Sequence, residues 1–132
     1  MEIFLKLKLG LIGNAIAKSR DPALHQFLGK LHGFELSYDL FDPASNENDR
    51  FVAQLQTLRD EDYHGCNITY PFKQIAMHSV QHCEASARLV GATNTLKFSR
   101  ETYAINTDYS GFMRAISSKL DKNEIGSALI LG

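Results

Sequence analysis

Short apolar runs with a period of two alternate along this chain with longer segments whose apolar residues recur at helical spacing. No other feature constrains the fold as much. Strands separated by helices pair most readily in parallel, through crossovers, and a sheet built that way needs helices on both faces. Residues 5–13 read as a first strand, followed by a turn at Gly13-Asn14 and an irregular loop to Arg20. Asp21-Pro22 has the form of an N-cap followed by a first-turn proline. Leu24, Phe27, Leu28 and Leu31 then mark the buried stripe of a helix that Gly33 ends. Residues 35–41 form a second strand, broken at Asp42-Pro43, and a helix over 49–59 carries Phe51, Val52, Leu55 and Leu58. A strand over 63–68, a helix over 71–80 and a short helix over 84–90, closed by Gly91, come next. Residues 93–98 and 102–106 suit a hairpin turning at Ser99-Arg100-Glu101, followed by a helix over 109–120 and an apolar strand over 127–131. The expected fold is α/β: a three-layer α/β/α sandwich with a mostly parallel sheet and one antiparallel hairpin strand.

Composition narrows the class of function. With 132 residues the chain is one domain with room for a real core, and 44% apolar and 22% charged residues are those of a soluble globular protein. A formal net charge of −1 and the lack of a basic block argue against nucleic acid or an anionic membrane as a partner. Lys6 and Lys8 break the apolar N-terminal run, which argues against a signal peptide, and no run is long enough to span a bilayer. Two cysteines, Cys66 and Cys83, make no disulfide framework; reduced thiols and a cytoplasmic location are expected.

The stretch Asn67-Ile68-Thr69-Tyr70-Pro71-Phe72-Lys73 concentrates polar groups where a strand ends and a helix is expected to begin. A cation in a first helical turn is disfavoured by the helix dipole, so Lys73 is either a solvated surface charge or a functional amine. Three further corners share this character: Ser19-Arg20-Asp21-Pro22, Gly91-Ala92-Thr93-Asn94-Thr95 and Asn106-Thr107-Asp108. Each alone has a plain explanation, since Asp21 and Asp108 can cap helices and Asn94 and Asn106 can serve turns. Together, four amide- and hydroxyl-rich corners at the ends of sheet strands suit a small polyhydroxylated ligand. His78, His82 and Cys83 do not make a metal site. Residues 82 and 83 face different sides of a helix and no third ligand is in place, so a solvated helix face is expected. Cys66 precedes Asn67 on a strand and faces the other way, which suits core packing.

In this order the motifs match a family. Gly10-Leu11-Ile12-Gly13, Ser19 with Pro22 and His25, the Asn67 to Lys73 run, Gly91-Ala92-Thr93-Asn94-Thr95-Leu96, and Asn106-Thr107-Asp108 with Gly111 closely resemble the substrate-binding domain of the shikimate and quinate dehydrogenases, over nearly the whole chain. The resemblance implies a two-domain oxidoreductase that reversibly reduces 3-dehydroshikimate to shikimate with NADPH, or handles quinate. It implies that NADP or NAD sits in a following Rossmann domain absent from this chain. Carried over by position, Lys73 and Asp108 are the acid/base pair at the reacting hydroxyl, Asn67 and Asn94 hold ring hydroxyls, and Ser19 and Thr69 contact the carboxylate end. Removing a hydride requires removing the hydroxyl proton, and lysine, ordinarily near pKa 10.4, is a poor base at neutral pH unless its site lowers that value.

One corner departs from the family pattern. Where His-Ser-x-Ser-Pro is usual, or threonine replaces the second serine, this chain reads Lys18-Ser19-Arg20-Asp21-Pro22. The second hydroxyl, which the resemblance places at the substrate carboxylate, is Asp21. Two like charges 4–5 Å apart at an effective dielectric of 20 repel by roughly 3–4 kcal/mol, a factor of a few hundred in affinity. Three outcomes are open: Asp21 turns away and caps its helix, paired with Arg20 or Lys18; Lys18 supplies the counter-charge; or the ligand is an amino-substituted relative. At the other end, residues 128–132 have the look of the first strand of a dinucleotide-binding unit, with Gly132 as its first glycine, or of one more strand of the same sheet. The expected organisation is therefore a substrate-binding domain over residues 1–125 and the start of a nucleotide-binding domain over 126–132. Such a chain, engineered or proteolytic in origin, would be inactive alone, with 127–131 poorly ordered or packed on a neighbour. A non-catalytic binding or sensor module for a shikimate- or quinate-like acid is the alternative. Monomer and homodimer are both open.

Overall fold

Residues 5–120 and 126–131 are described by a computed structural model, and they contain one six-stranded sheet. The strands are β1 (Leu5–Ile12), β2 (Phe34–Phe41), β3 (Gly65–Ile68), β4 (His82–Cys83), β5 (Thr95–Phe98) and β6 (Thr102–Ile105), in the spatial order β2-β1-β3-β5-β6-β4. β1 lies parallel to β2 and β3, and β4 parallel to β6, whereas β5 runs antiparallel to both its neighbours. The mostly parallel α/β sandwich with one reversed hairpin strand is thus the architecture observed.

Adjacent residues on a strand face opposite sides, and β1 shows how the core divides. Leu11 joins Ile16 and Tyr38 on one face, while Ile12 joins Phe51, Leu55, Leu58, Ile68, Phe72 and Leu96 on the other. The second cluster is covered by α2 (Asn48–Asp60), whose buried Phe51, Leu55 and Leu58 repeat at helical spacing. Cys66 is packed in this cluster, on the face opposite Asn67. Gly65 is fixed by the same packing, since a Cβ there would lie 2.5 Å from the Leu96 carbonyl oxygen.

The first face is covered by α1 (Asp21–Leu31), but not through the expected stripe. Leu24, Phe27, Leu28 and Leu31 are exposed, up to 67% for Leu31. The helix instead presents Pro22, His25 and Gly29, also at helical spacing, and Gly29 is the buried one. A Cβ at Gly29 would come within 2.9 Å of the Leu36 Cβ, so the small residue sets the helix close against β2 and turns the leucines outward.

Three other elements differ from expectation. The helix over 71–80 is absent: Tyr70–Pro71 is a cis peptide, turns follow, and only a short 3-10 segment, Ile75–Ser79, is helical. Competing bonds account for this, since the Lys73 carbonyl accepts from the Thr93 N–H rather than from a residue one turn ahead. His82 and Cys83, expected on a helix, form the edge strand β4, where His82 stacks on Tyr103 at 4.7 Å and hydrogen-bonds Glu101. Residues 126–131 form neither helix nor strand and are exposed, with Ile130 at 91%. The apolar run there finds no sheet partner among the described residues. Gly132 lies outside the described residues.

The remaining helices are α3 (Ala85–Val90) and α4 (Thr107–Ser117). Gly91 ends α3 in the left-handed conformation, φ 72°. No helix among the described residues is long and apolar enough to cross a membrane, and no group of three His, Cys, Asp or Glu side chains there could hold a metal ion.

Candidate substrate site

The sheet order brings four chain segments to one rim: the carboxyl ends of β1, β3 and β6, and the amino end of β5, which reaches the same rim because it is reversed. A cavity of about 360 Å³ opens there, lined by Asp21, Asn67, Thr69, Lys73, Asn94 and Asp108, together with Leu11, Leu24, His25, Ile68 and Thr107. That volume is of the size that small-molecule sites occupy. Six of the seven candidate catalytic and substrate-contacting residues are thereby on one wall. Ser19 stands just off it, its Oγ accepting from the Asp21 N–H at 3.2 Å.

Lys73 is fixed from both sides of the chain. Phe72 beside it is buried and stacked on Phe51, ring centroids 5.0 Å apart, and Thr93 N–H binds the Lys73 carbonyl at 2.8 Å. Thr93 itself is fully buried, its hydroxyl bonded to the Thr95 and Ile105 carbonyls. The corner at Thr69 is tight: its N–H binds the Ile12 carbonyl, and a Cβ on Gly13 would lie 2.2 Å from the Thr69 methyl. Gly13 therefore lets the β1 and β3 corners meet. No helix terminus lies under Lys73, so the dipole argument from sequence does not apply.

Lys73 Nζ donates to Asp108 Oδ2 at 2.7 Å, with both side chains partly exposed to the cavity. Asp108 lies in the first turn of α4 and does not cap it. The cap is Asn106, buried, whose Oδ1 accepts from Tyr109 N–H and whose Nδ2 donates to the Ala92 carbonyl. From Asp108 a directed relay runs back across the rim. Asn94 Nδ2 donates to Asp108 Oδ1 at 3.0 Å, Thr95 Oγ1 donates to Asn94 Oδ1 at 3.0 Å, Asn67 Nδ2 donates to Thr95 Oγ1 at 3.1 Å, and Tyr38 OH donates to Asn67 Oδ1 at 2.8 Å. Every donor points toward the Asp108 carboxylate, an arrangement in which each bond polarises the next.

Tyr38 lies outside the four polar corners, whereas Thr107 belongs to the last of them. Tyr38 sits mid-strand in β2, where alternation marks it as core, and only knowing that β1 lies between β2 and β3 would bring it toward Asn67. Burial, then the Asp21 charge, then Cys66 hold its phenol well above the ordinary tyrosine range, so it serves Asn67 as a donor throughout the working pH range. His25 stacks on it at 4.4 Å and donates from Nδ1 to the Asp21 carbonyl.

The model of the shikimate dehydrogenase substrate binding domain matches residues 11–96, well over half of the chain. The chain belongs to that family. Among its relatives, a shikimate dehydrogenase (NADP(+)) of Natronomonas pharaonis is 32% identical over 123 residues, 93% of this chain and 45% of the relative. The shikimate 5-dehydrogenase of Thermus thermophilus, solved with NADP(H) and shikimate, superposes with a TM-score of 0.75 at 28% identity, covering 86% of this chain and 42% of that one. The quinate dehydrogenase of Corynebacterium glutamicum, solved with NAD, gives a TM-score of 0.77 at 30% identity, covering 86% and 42%. The chain thus spans less than half the length of these members of the shikimate dehydrogenase family. The described residues offer no glycine-rich turn at a strand end to cradle a nucleotide's phosphates, and so do not fit NADP or NAD.

On this cavity wall, Asp21 does not behave as its sequence neighbours suggested. Among the described residues it makes no ion pair with Lys18 or Arg20, both of which are exposed and off the cavity wall. It does not cap α1 either: Arg20 occupies the cap position without a side-chain bond, and Asp21 begins the helix facing the cavity.

Proposed function

We propose that this chain is the substrate half of a shikimate or quinate dehydrogenase and holds a polyhydroxylated six-membered ring across the strand rim. The supporting observation is the Lys73–Asp108 pair, 2.7 Å apart, on the cavity wall that also collects Asp21, Asn67, Thr69 and Asn94. The reacting hydroxyl lies against this pair. In oxidation the Lys73 amine takes its proton, and in reduction the ammonium returns it, while Asp108 fixes the amine's direction and accepts from the same hydroxyl. A positioned acid/base of this kind contributes on the order of 10²–10⁴ in rate.

Thr69 serves the far end, with the Ser19 hydroxyl proton still free to reach a ligand. Asn67, whose amide N–H groups are engaged on Thr95 Oγ1 and the Asn94 carbonyl, offers a ring hydroxyl the remaining lone pair of the Oδ1 that accepts from Tyr38. Asn94 has a different part. Both its N–H donors are engaged, on Thr107 and Asp108, and its oxygen accepts from Thr107 N–H and Thr95 Oγ1. It therefore fixes Asp108, and meets a ring hydroxyl only by exchanging one of these bonds. Hydride exchange belongs to the nicotinamide nucleotide named for the relatives. In this reading the nucleotide is held by a domain outside the described residues.

The reading is tested by titrating shikimate and quinate into this chain and following amide shifts. Shifts clustered at Asn67, Thr69, Lys73, Asn94 and Asp108 are expected, and their absence for both acids and for uncharged analogues overturns it. In the enzyme carrying its nucleotide-binding half, Lys73→Ala should lower kcat by about 10²–10⁴ while ligand affinity changes only a few-fold.

A further inference from the structure

The Asp21 end of the cavity bears a negative charge that no cation on the wall offsets. Asp21 begins α1 beyond β1, whereas Lys73 follows β3 and Asp108 lies in the first turn of α4 beyond β6, and all three line the one cavity. A ring held by Lys73 and Asp108 in this cavity meets Asp21 as the one further charged side chain on the wall. Lys73 is the sole lysine or arginine on this wall, and it is already matched by Asp108. Asp21 thus leaves the cavity with an excess negative charge. The neighbours do not relieve it. Tyr38 spends its proton on Asn67, His25 donates to the Asp21 backbone carbonyl and not to its carboxylate, and Ser19 contributes only a neutral hydroxyl that accepts from the Asp21 N–H. Lys18 and Arg20 are exposed to solvent.

We propose that Asp21 determines specificity at this end of the cavity, so that the site takes a cyclic polyol presenting an ammonium group there and discriminates against one presenting a carboxylate. This rests on the ring-polyol reading of the cavity. The ammonium lies against the Asp21 carboxylate and donates to it, with the Ser19 oxygen as a second acceptor within reach of the same corner. A ligand carboxylate in that place meets a like charge across a half-exposed boundary. Because the boundary is wet, the expected discrimination is about tenfold rather than the several-hundredfold of a buried contact.

The experiment titrates three probes into this chain at low salt: shikimate, its carboxamide, and the analogue with an aminomethyl group in place of the carboxylate. The expected order of affinity is aminomethyl, then carboxamide, then acid, with about tenfold between the extremes and a gap that narrows as salt is raised. Asp21→Asn and Asp21→Ser should both bring shikimate up toward the carboxamide. Equal binding of acid and amine to the unsubstituted chain overturns the role of Asp21 and leaves the ring-polyol reading standing. So does a gap that is unchanged by salt or by both substitutions. Binding of none of the three probes overturns both.

Discussion

Lys73 and Asp108 are close enough to form a strong charge-assisted bond, yet both remain open to the cavity, and an ion pair that wet adds little to folding. The effort spent on placing it is therefore better explained by what it presents than by what it stabilises. Phe72 buries the residue before the lysine, Thr93 ties down its carbonyl, and Asn94 holds the second oxygen of the aspartate. The opposite case is Cys66, which presents nothing. Burial pushes its thiol well above the ordinary value, because a thiolate there would have no water around it. In the unfolded chain the same thiol titrates near 8.5. Above that pH the unfolded state releases a proton that the folded state keeps, so stability falls as pH rises, by up to about 1.4 kcal/mol per pH unit. The urea midpoint is expected to drop between pH 8 and pH 10, and to drop less in Cys66→Ala. A thiol reagent at neutral pH should reach Cys66 only when the chain unfolds. Rapid labelling of both cysteines in the folded protein would contradict the packing described.

At the level of elements, the start of α4 shows how much the site depends on one cap. Asn106, itself buried, accepts from Tyr109 N–H, donates to the Ala92 carbonyl and gives its own backbone N–H to the Ser86 hydroxyl. Asn106→Ala removes the cap and leaves two part-buried partners without it, which should cost about 1–3 kcal/mol. It should also loosen Asp108 two residues on. Chemical denaturation and amide exchange at Tyr109 measure the two effects, and a loss below about 0.5 kcal/mol would mean the cap is not structural. This element also marks the limit of what the chain reveals when read alone. The strands, the Gly91 stop and the hairpin were legible because their signals are local: period two, a left-handed glycine, a turn between β-rich runs. The helix expected over residues 71–80 does not form, and the Lys73 carbonyl that would serve it bonds a segment twenty residues away. The leucine stripe of α1 was misassigned because Gly29, which carries no apolar signal, decides which face docks. Asn67, Lys73, Asn94 and Asp108 were legible as polar corners, while Tyr38, which completes their relay, looks like any core aromatic until the strand order is known.

For the molecule as a whole, the cavity and the sheet are one object. Asn67, Asn94 and Asp108 come from the ends of three neighbouring strands, each positioned by the pairing of its strand with the next, and Asp21 comes from the start of the helix that covers them. Ligand binding should therefore report on global folding. At a ligand concentration of 100 times Kd the folded state gains about 2.7 kcal/mol, enough to raise Tm by roughly 5–15 °C for a domain of this size. A core truncation at the opposite end of the sheet from the rim, such as Leu58→Ala near the close of α2, should lower Tm by removing about 2–5 kcal/mol and yet leave the ligand-induced increment intact wherever the chain is still folded. A truncation that erased the increment while the sheet persisted would show the rim and the core to be separable.

The reversed direction of β5 carries one more consequence. It brings Asn94 and Thr95 to the rim at the start of a strand, whereas Asn67 and Asp108 arrive there at the end of strands or just beyond. The rim is therefore stitched from chain travelling both ways, and no contiguous stretch of the polypeptide contains it. A set of overlapping synthetic peptides covering this sequence, each keeping its own motif intact, should contain no binder. What the ligand recognises has no address in the linear chain.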